Sequence, residues 1–193
     1  MSGRYVIALD QGTTSSRSVL IDHDGRLVDS VQRKFPQIYP QPGWVEQNPQ
    51  EIIFSQLGSL TDLLTSHALT ARDIDSIGIT NQRETTMLWD RETGRPIANA
   101  IVWQCRRTAD LCDRLIREGW EAEVQRRTGL RIDPYFSGTK IRWILEKMHV
   151  IPKKMFCPDI KTILSIMRAK ESGNLIVLFP EGRLTCFGHS LQV

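Results

Sequence analysis

The stretch Asp10-Gln11-Gly12-Thr13-Thr14-Ser15-Ser16-Arg17 holds the densest set of groups able to meet a phosphate. Gly12 accepts positive φ and lets a ligand approach the backbone closely. Successive N–H groups, with the hydroxyls of Thr13, Thr14 and Ser15, can form an anion-binding nest. Arg17 can reach a phosphate from the second strand. Asp10 is a hard oxygen ligand suited to Mg²⁺ bound through water. No G-x-x-x-x-G-K-[ST] pattern occurs, and a strand rather than a helix follows, so this is not a Walker A loop. Taken alone, the stretch also reads as an ordinary polar hairpin with a glycine turn.

A second set lies further along. Arg83 and Glu84 stand just past the predicted strand 74–80, where binding residues belong in an α/β sheet. A guanidinium that only donates, beside a carboxylate that only accepts, can fix two hydroxyls of a small polyol. Trp103 offers a flat apolar wall, and Tyr135 a further hydroxyl partner on a proline-containing loop. Singly, each has an ordinary reading: a solvated ion pair for Arg83 and Glu84, core packing for Trp103 and Tyr135.

The elements that must carry these groups follow from pattern. The near-continuous apolar run from Tyr5 to Leu9 predicts a strand buried on both faces, paired with the next apolar run to Ile21. Asp24-Gly25 predicts a hairpin turn into a third strand, Leu27 to Lys34. A proline-rich loop runs from Phe35 to Pro49. Asn48-Pro49-Gln50-Glu51 predicts a helix start, with Ile53, Leu57, Leu60 and Leu64 on its apolar face. Strands are predicted at Ile74–Thr80, Thr85–Trp89 and Ile101–Trp103. Helices are predicted through Leu111, Cys112, Leu115 and Ile116, and through Ile141, Ile144, Leu145 and Met148. Beyond Pro152 the pattern predicts a helix opened by Pro158-Asp159 and closed by Gly173, then a buried strand, Leu175 to Phe179.

The motifs carry a resemblance. Asp10 to Ser16, as D-Q-G-T-T-S-S, resembles the first phosphate loop of the FGGY carbohydrate kinases, within the actin-like ATPase superfamily. Pro42-Gly43-Trp44-Val45-Glu46, Gly78 to Thr86, Asn99 to Arg107 and Asp133 to Lys140 are similar to further blocks of the glycerol-phosphorylating branch of that family, in family order and spacing. The resemblance covers about residues 3 to 148. It implies an α/β, ribonuclease H-like N-terminal domain, incomplete here, over residues 1–149, followed by a short helix-strand fragment over 150–193. It further implies ATP and Mg²⁺ as cofactors, with Thr13, Thr14, Ser15 and Arg17 on the nucleotide phosphates and Asp10 on the metal. Arg83, Glu84, Trp103 and Tyr135 would bind glycerol or a similar polyol, and the proline-rich loop would cover that site.

The family's carboxylate that orients the attacking hydroxyl belongs to a Gly-Asp-Gln block, and this sequence contains none. No catalytic residue is therefore assigned, and the expectation is little or no kinase turnover by this chain alone. The tail, about 152–193, resembles something else: Phe179-Pro180-Glu181-Gly182-Arg183 is similar to the F-P-E-G block of glycerolipid (lysophosphatidate-type) acyltransferases. That resemblance would put Glu181 and Arg183 on an acyl acceptor's phosphate. None of the four histidines has an Asp five residues later, so that family's H-x-x-x-x-D pair is missing. Three alternatives therefore stand beside the kinase: an acyltransferase fragment, a non-catalytic polyol-binding module, and a chimeric gene product.

Composition sets the outer bounds. The chain has 193 residues, 40% hydrophobic and 24% charged, with a net charge of +3 and scattered basic residues, which carries no nucleic-acid signature. Cys105, Cys112, Cys157 and Cys186 form no C-x-x-C or metal spacing and read as free thiols of a reducing cytoplasm. No apolar run approaches the length of a membrane span. Nothing in the pattern sets an oligomeric state.

Overall fold

The computed structural model describes residues 5–90 and 93–148, and the backbone of two strands at 175–178 and 184–187. The strands are β1 (Tyr5–Gln11), β2 (Ser15–Ile21), β3 (Leu27–Lys34), β4 (Glu46–Gln47), β5 (Ile74–Thr80), β6 (Ala100–Ile101), β7 (Leu175–Leu178) and β8 (Leu184–Phe187). The helices are α1 (Pro49–Ser66), α2 (Ala109–Arg117), α3 (Glu121–Thr128) and α4 (Ser137–Lys147), with one 3₁₀ turn at Ala71–Asp73. The chain divides into two compact units, Met1–Gln37 with Gln47–Gln82, and Ile38–Glu46 with the described residues from Arg83 on.

The first unit is a mixed sheet with the order β3-β2-β1-β5. β1, β2 and β3 pair antiparallel in sequence, and β5 returns parallel to β1 after α1. Asn48 caps α1: its Oδ1 accepts from the Gln50 amide at 2.9 Å, and Pro49 takes the first helical position, where no amide is needed. The core is Ile7, Leu20 and Leu63, joined by Leu9, Val31, Leu60 and Ile74 among others. Full burial of each such side chain contributes about 1.5–3 kcal/mol.

Two expectations fail here. In β1 only Ile7 is buried, so the strand is not covered on both faces. On α1, Ile53 and Leu57 are exposed, while Ser55, Ser59 and Leu63 are buried. The helix approaches the sheet through small residues. Ser16 Oγ and Ser55 Oγ lie 2.7 Å apart, and Ser18 Oγ and Ser59 Oγ 2.9 Å. Paired hydroxyls satisfy one another, so a polar stripe can face inward at little cost, and the apolar residues flanking it turn outward.

The second unit has its own core of Leu88, Ile101, Cys105 and Ile144, with Trp44, Val45, Ile97, Trp143 and Leu145 around it. Thr85–Trp89 is not a continuous strand. It makes isolated bridges, Thr86 to Ile101 and Trp89 to Pro96. The strand expected at Ile101–Trp103 is reduced to Ala100–Ile101. Helix α3, closed by Gly129 at φ 75°, had no apolar period to announce it. Cys105 and Cys112 are buried free thiols, as expected.

The proline-rich segment is fastened within this second unit. The Val102 amide donates to Val45 O, the Arg106 amide to Gly43 O, and Arg107 Nη2 to Glu46 Oε1 at 2.6 Å. The Arg107 guanidinium also lies over the rings of Trp44 and Trp143, 4.0 and 4.7 Å from their centroids.

In the tail, β7 and β8 pair antiparallel, Leu175 with Phe187 through Leu178 with Leu184. The strand expected at Leu175–Phe179 is present as Leu175–Leu178. The expected helix from Pro158 to Gly173, and Glu181 and Arg183, lie outside the described residues. Among the described residues no helix is long and apolar enough to cross a membrane.

Candidate functional site

The candidate phosphate hairpin is β1, the turn at Gly12–Thr14, and β2. The Gly12 amide donates to Ser15 O at 3.0 Å and closes the turn. A Cβ at Gly12 would stand 3.0 Å from that same oxygen, so the bare Cα is what lets the turn close so tightly. Thr14 is exposed and Thr13 and Ser15 half-buried, so all three lie within reach of solvent. Ser15 Oγ accepts from Gln32 Nε2, which leaves its own hydroxyl proton available to a ligand. Arg17 and Asp10 are register partners across the β1–β2 ladder and form an ion pair of 2.9 Å.

Asp10 fits a particular kind of metal site. Among the described residues no group of three His, Cys, Asp or Glu side chains could hold an ion. A lone, half-exposed carboxylate suits Mg²⁺, which keeps several waters and takes its remaining oxygens from phosphates.

In the second unit the polyol candidates are partly assembled. The Trp103 and Tyr135 rings meet edge to face, 5.8 Å between centroids and 64° between planes. Ser137 Oγ lies 3.4 Å from Glu84 Oε2. Glu84 is held at φ 61°, a left-handed conformation that is uncommon outside glycine, asparagine and aspartate. Arg83 precedes it and is exposed.

The group that binds this cluster together is one that sequence reasoning did not assign. Lys140, in the first turn of α4, has 0% exposure. Its Nζ donates to Glu84 O at 2.9 Å and to Tyr135 O. One buried ammonium thus ties the backbones of two expected polyol residues. Burial pushes its pKa down to about 8, against the opposing pull of Glu84, Cys105, Asp133 and Cys112. A signal was present: Lys140 sits beside Ile141 and one turn before Ile144, on the face of α4 that turns inward. A lysine there has to find carbonyl or carboxylate partners.

The first unit's mixed sheet and its hairpin are those of the ribonuclease H-like, actin-like ATPase fold. The chain belongs to the FGGY family of carbohydrate kinases: its sequence matches the N-terminal domain of that family over residues 5–173. Among its relatives is a glycerol kinase of Salmonella paratyphi B, 58% identical over 143 residues, a match covering 74% of this chain and 28% of the relative. The structure is similar to that of Plasmodium falciparum glycerol kinase with ADP, at 30% identity and a TM-score of 0.72, over 84% of this chain and 33% of that one. It is also similar to a xylulose kinase from Rhodospirillum rubrum, at 25% identity and a TM-score of 0.70, over 79% of this chain and 32% of that one. The chain therefore spans less than a third of the length of the glycerol kinases of Salmonella that it matches.

Proposed function

We propose that this chain supplies the phosphate hairpin and the polyol-binding residues of an ATP-dependent glycerol kinase, whose reaction converts glycerol and ATP to glycerol 3-phosphate and ADP. The observation that carries the reading is the cluster of Glu84, Trp103 and Tyr135, two of them gripped by Lys140, in a chain 58% identical to a glycerol kinase over 143 residues. Bound Mg–ATP supplies the phosphoryl group and neutralises its charge. The chain's own residues bind and orient. The hairpin amides, with the hydroxyls of Thr13, Thr14 and Ser15, receive phosphate oxygens, and Arg17 adds a cation. Asp10 would hold Mg²⁺ through the ion's hydration water. Arg83 donates to polyol hydroxyls, Glu84 accepts from them, and the Trp103 and Tyr135 rings cover the carbon edge and exclude water.

With no Gly-Asp-Gln in the sequence to position the attacking hydroxyl, this chain alone binds and turns over little. The test is calorimetry with glycerol beside a coupled ADP assay on the 193-residue chain. Saturable binding lost in Arg83→Ala and Glu84→Ala supports the reading. Absence of binding by the unaltered chain, or binding that both variants retain, refutes it, and robust glycerol-dependent ADP release refutes the claim of low turnover. A cytoplasmic site of action accords with the four cysteines' lack of paired spacing.

For the tail, the block Phe179 to Arg183 supports a second reading, in which Glu181 and Arg183 contact the phosphate of an acyl acceptor as in glycerolipid acyltransferases. Transfer from an acyl thioester to glycerol 3-phosphate, lost in Glu181→Gln, is the assay that supports it.

A further inference from the structure

The chain passes between its two units three times, at Gln37/Ile38, Glu46/Gln47 and Gln82/Arg83. On the first unit's side of every crossing stands a glutamine, and all three glutamines reach the tip of the phosphate hairpin. Gln47 Nε2 donates to Thr13 O at 2.6 Å and to Gln37 Oε1 at 2.7 Å. Gln82 Nε2 donates to Gly12 O at 3.0 Å and to Gln47 Oε1 at 3.1 Å. Gln37 Nε2 donates to Thr13 O at 3.2 Å. Gln11 Nε2 adds a second donor to Gly12 O, and the Phe35 amide reaches Thr14 O.

The orientation of this network is determined by its own bonds. Both amide protons of Gln47 are used, both of Gln82 are used, and the carbonyls of Gln47 and Gln37 each accept. Turning Gln47 over would set its NH₂ against that of Gln82 and its oxygen against Thr13 O. Gln47 has 0% exposure, so water could not repair the mismatch.

We propose that Gln37, Gln47 and Gln82 are positioning residues for the phosphate hairpin, holding the Gly12 and Thr13 carbonyls so that the next two backbone amides face a polyphosphate. In a planar trans peptide the C=O and the following N–H point in opposite directions. Fixing Gly12 O therefore aims the Thr13 N–H, and fixing Thr13 O aims the Thr14 N–H. A peptide flip at either position would present a carbonyl oxygen to an anion. Three amides prevent it, and they come from separate stretches of chain, so no single local turn could supply them. This inference rests on the phosphate role of the hairpin, and its test separates the two.

The experiment uses the full chain and the variants Gln47→Met and Gln82→Met. NMR amide exchange is followed at Gly12 to Ser15, inorganic tripolyphosphate is titrated with Mg²⁺, and glycerol is titrated against the Trp103 indole signal. The expected result is exchange at the hairpin at least about tenfold faster in both variants, and tripolyphosphate binding about tenfold weaker. The glycerol-induced change at Trp103 stays as in the unaltered chain, which a general loss of folding would not permit. Gln82→Met, at a partly buried site, keeps the test open where Gln47→Met does not fold. Unchanged hairpin exchange in Gln82→Met overturns the proposal, as does tripolyphosphate affinity equal to that of the unaltered chain. If the unaltered chain binds no tripolyphosphate, the phosphate reading fails, and exchange alone decides whether the glutamines hold the tip.

Discussion

Arg17 Nη2 donates to Asp10 Oδ2 across the β1–β2 ladder, so the residue suited to a phosphate and the residue suited to a metal are each other's partner. With 49% and 37% of these side chains exposed, the pair adds little to stability and opens readily when a polyanion and a cation arrive together. Arg17→Ala is expected to leave the melting temperature within about 2 °C. It should weaken Mg–ATP binding by roughly tenfold to a hundredfold, the scale of one lost charge-assisted hydrogen bond. Titration calorimetry beside a thermal melt checks this. A large loss of stability with unchanged affinity would make the pair purely structural.

Lys140 gives a pH signature. Its folded pKa of about 8 lies below the ordinary 10.5 because burial penalises the ammonium. Between those two values the unfolded chain holds the extra proton, so this group's contribution to stability rises as pH climbs from about 8 towards 10.5. Below about 8 both states are protonated and the contribution is flat. Glu84, Asp133, Cys105 and Cys112 all act on this ammonium and remain in Lys140→Met. The difference between the two proteins in urea unfolding should therefore grow by about 3 kcal/mol over that range. Parallel stability curves would show that the amine does not titrate there.

Glu84 combines a left-handed backbone with an expected ligand-binding carboxylate. Asparagine tolerates that backbone better. Glu84→Asn is expected to hold stability or raise it by up to about 1 kcal/mol while glycerol binding is lost. Retained binding in calorimetry would remove the carboxylate from the polyol site.

The Arg107–Glu46 pair is the opposite of the Asp10 pair. These side chains are 2% and 14% exposed, and Glu46 also accepts from Asn99 Nδ2 at 2.9 Å. Arg107→Met strands a buried carboxylate and should cost about 3–5 kcal/mol in urea unfolding. Arg107→Lys should also be costly, because an ammonium lacks the planar guanidinium that reaches Glu46 while lying over the Trp44 and Trp143 rings. A loss under about 1 kcal/mol in Arg107→Met would show that the pair does not hold the proline-rich segment.

Much of this was legible in the sequence. β3 and β5 have the bounds expected for them, and Asn48-Pro49 marked the start of α1. The family motifs named Trp103 and Tyr135, which the structure brings into ring contact. Some of what failed were places where polar groups pack inward. Ser55 and Ser59 took the buried stripe of α1 because Ser16 and Ser18 met them. α3 buries no residue, so hydrophobic period had nothing to report. Gln37, Gln47 and Gln82 lie far apart along the chain, and only the folded backbone brings their amides to adjacent carbonyls. Polar convergence of that kind leaves no periodic trace.

Gln37 and Gln47 both donate to one atom, Thr13 O. The stretch between them, Ile38–Glu46, therefore departs from and returns to a single anchor, much as a ring closes on a clasp. Within it Trp44 and Val45 pack on the second unit's core and Glu46 pairs with Arg107, so the loop is pinned along its length as well as at its stem. A loop fastened at its stem and along its length has little room to swing as a flap.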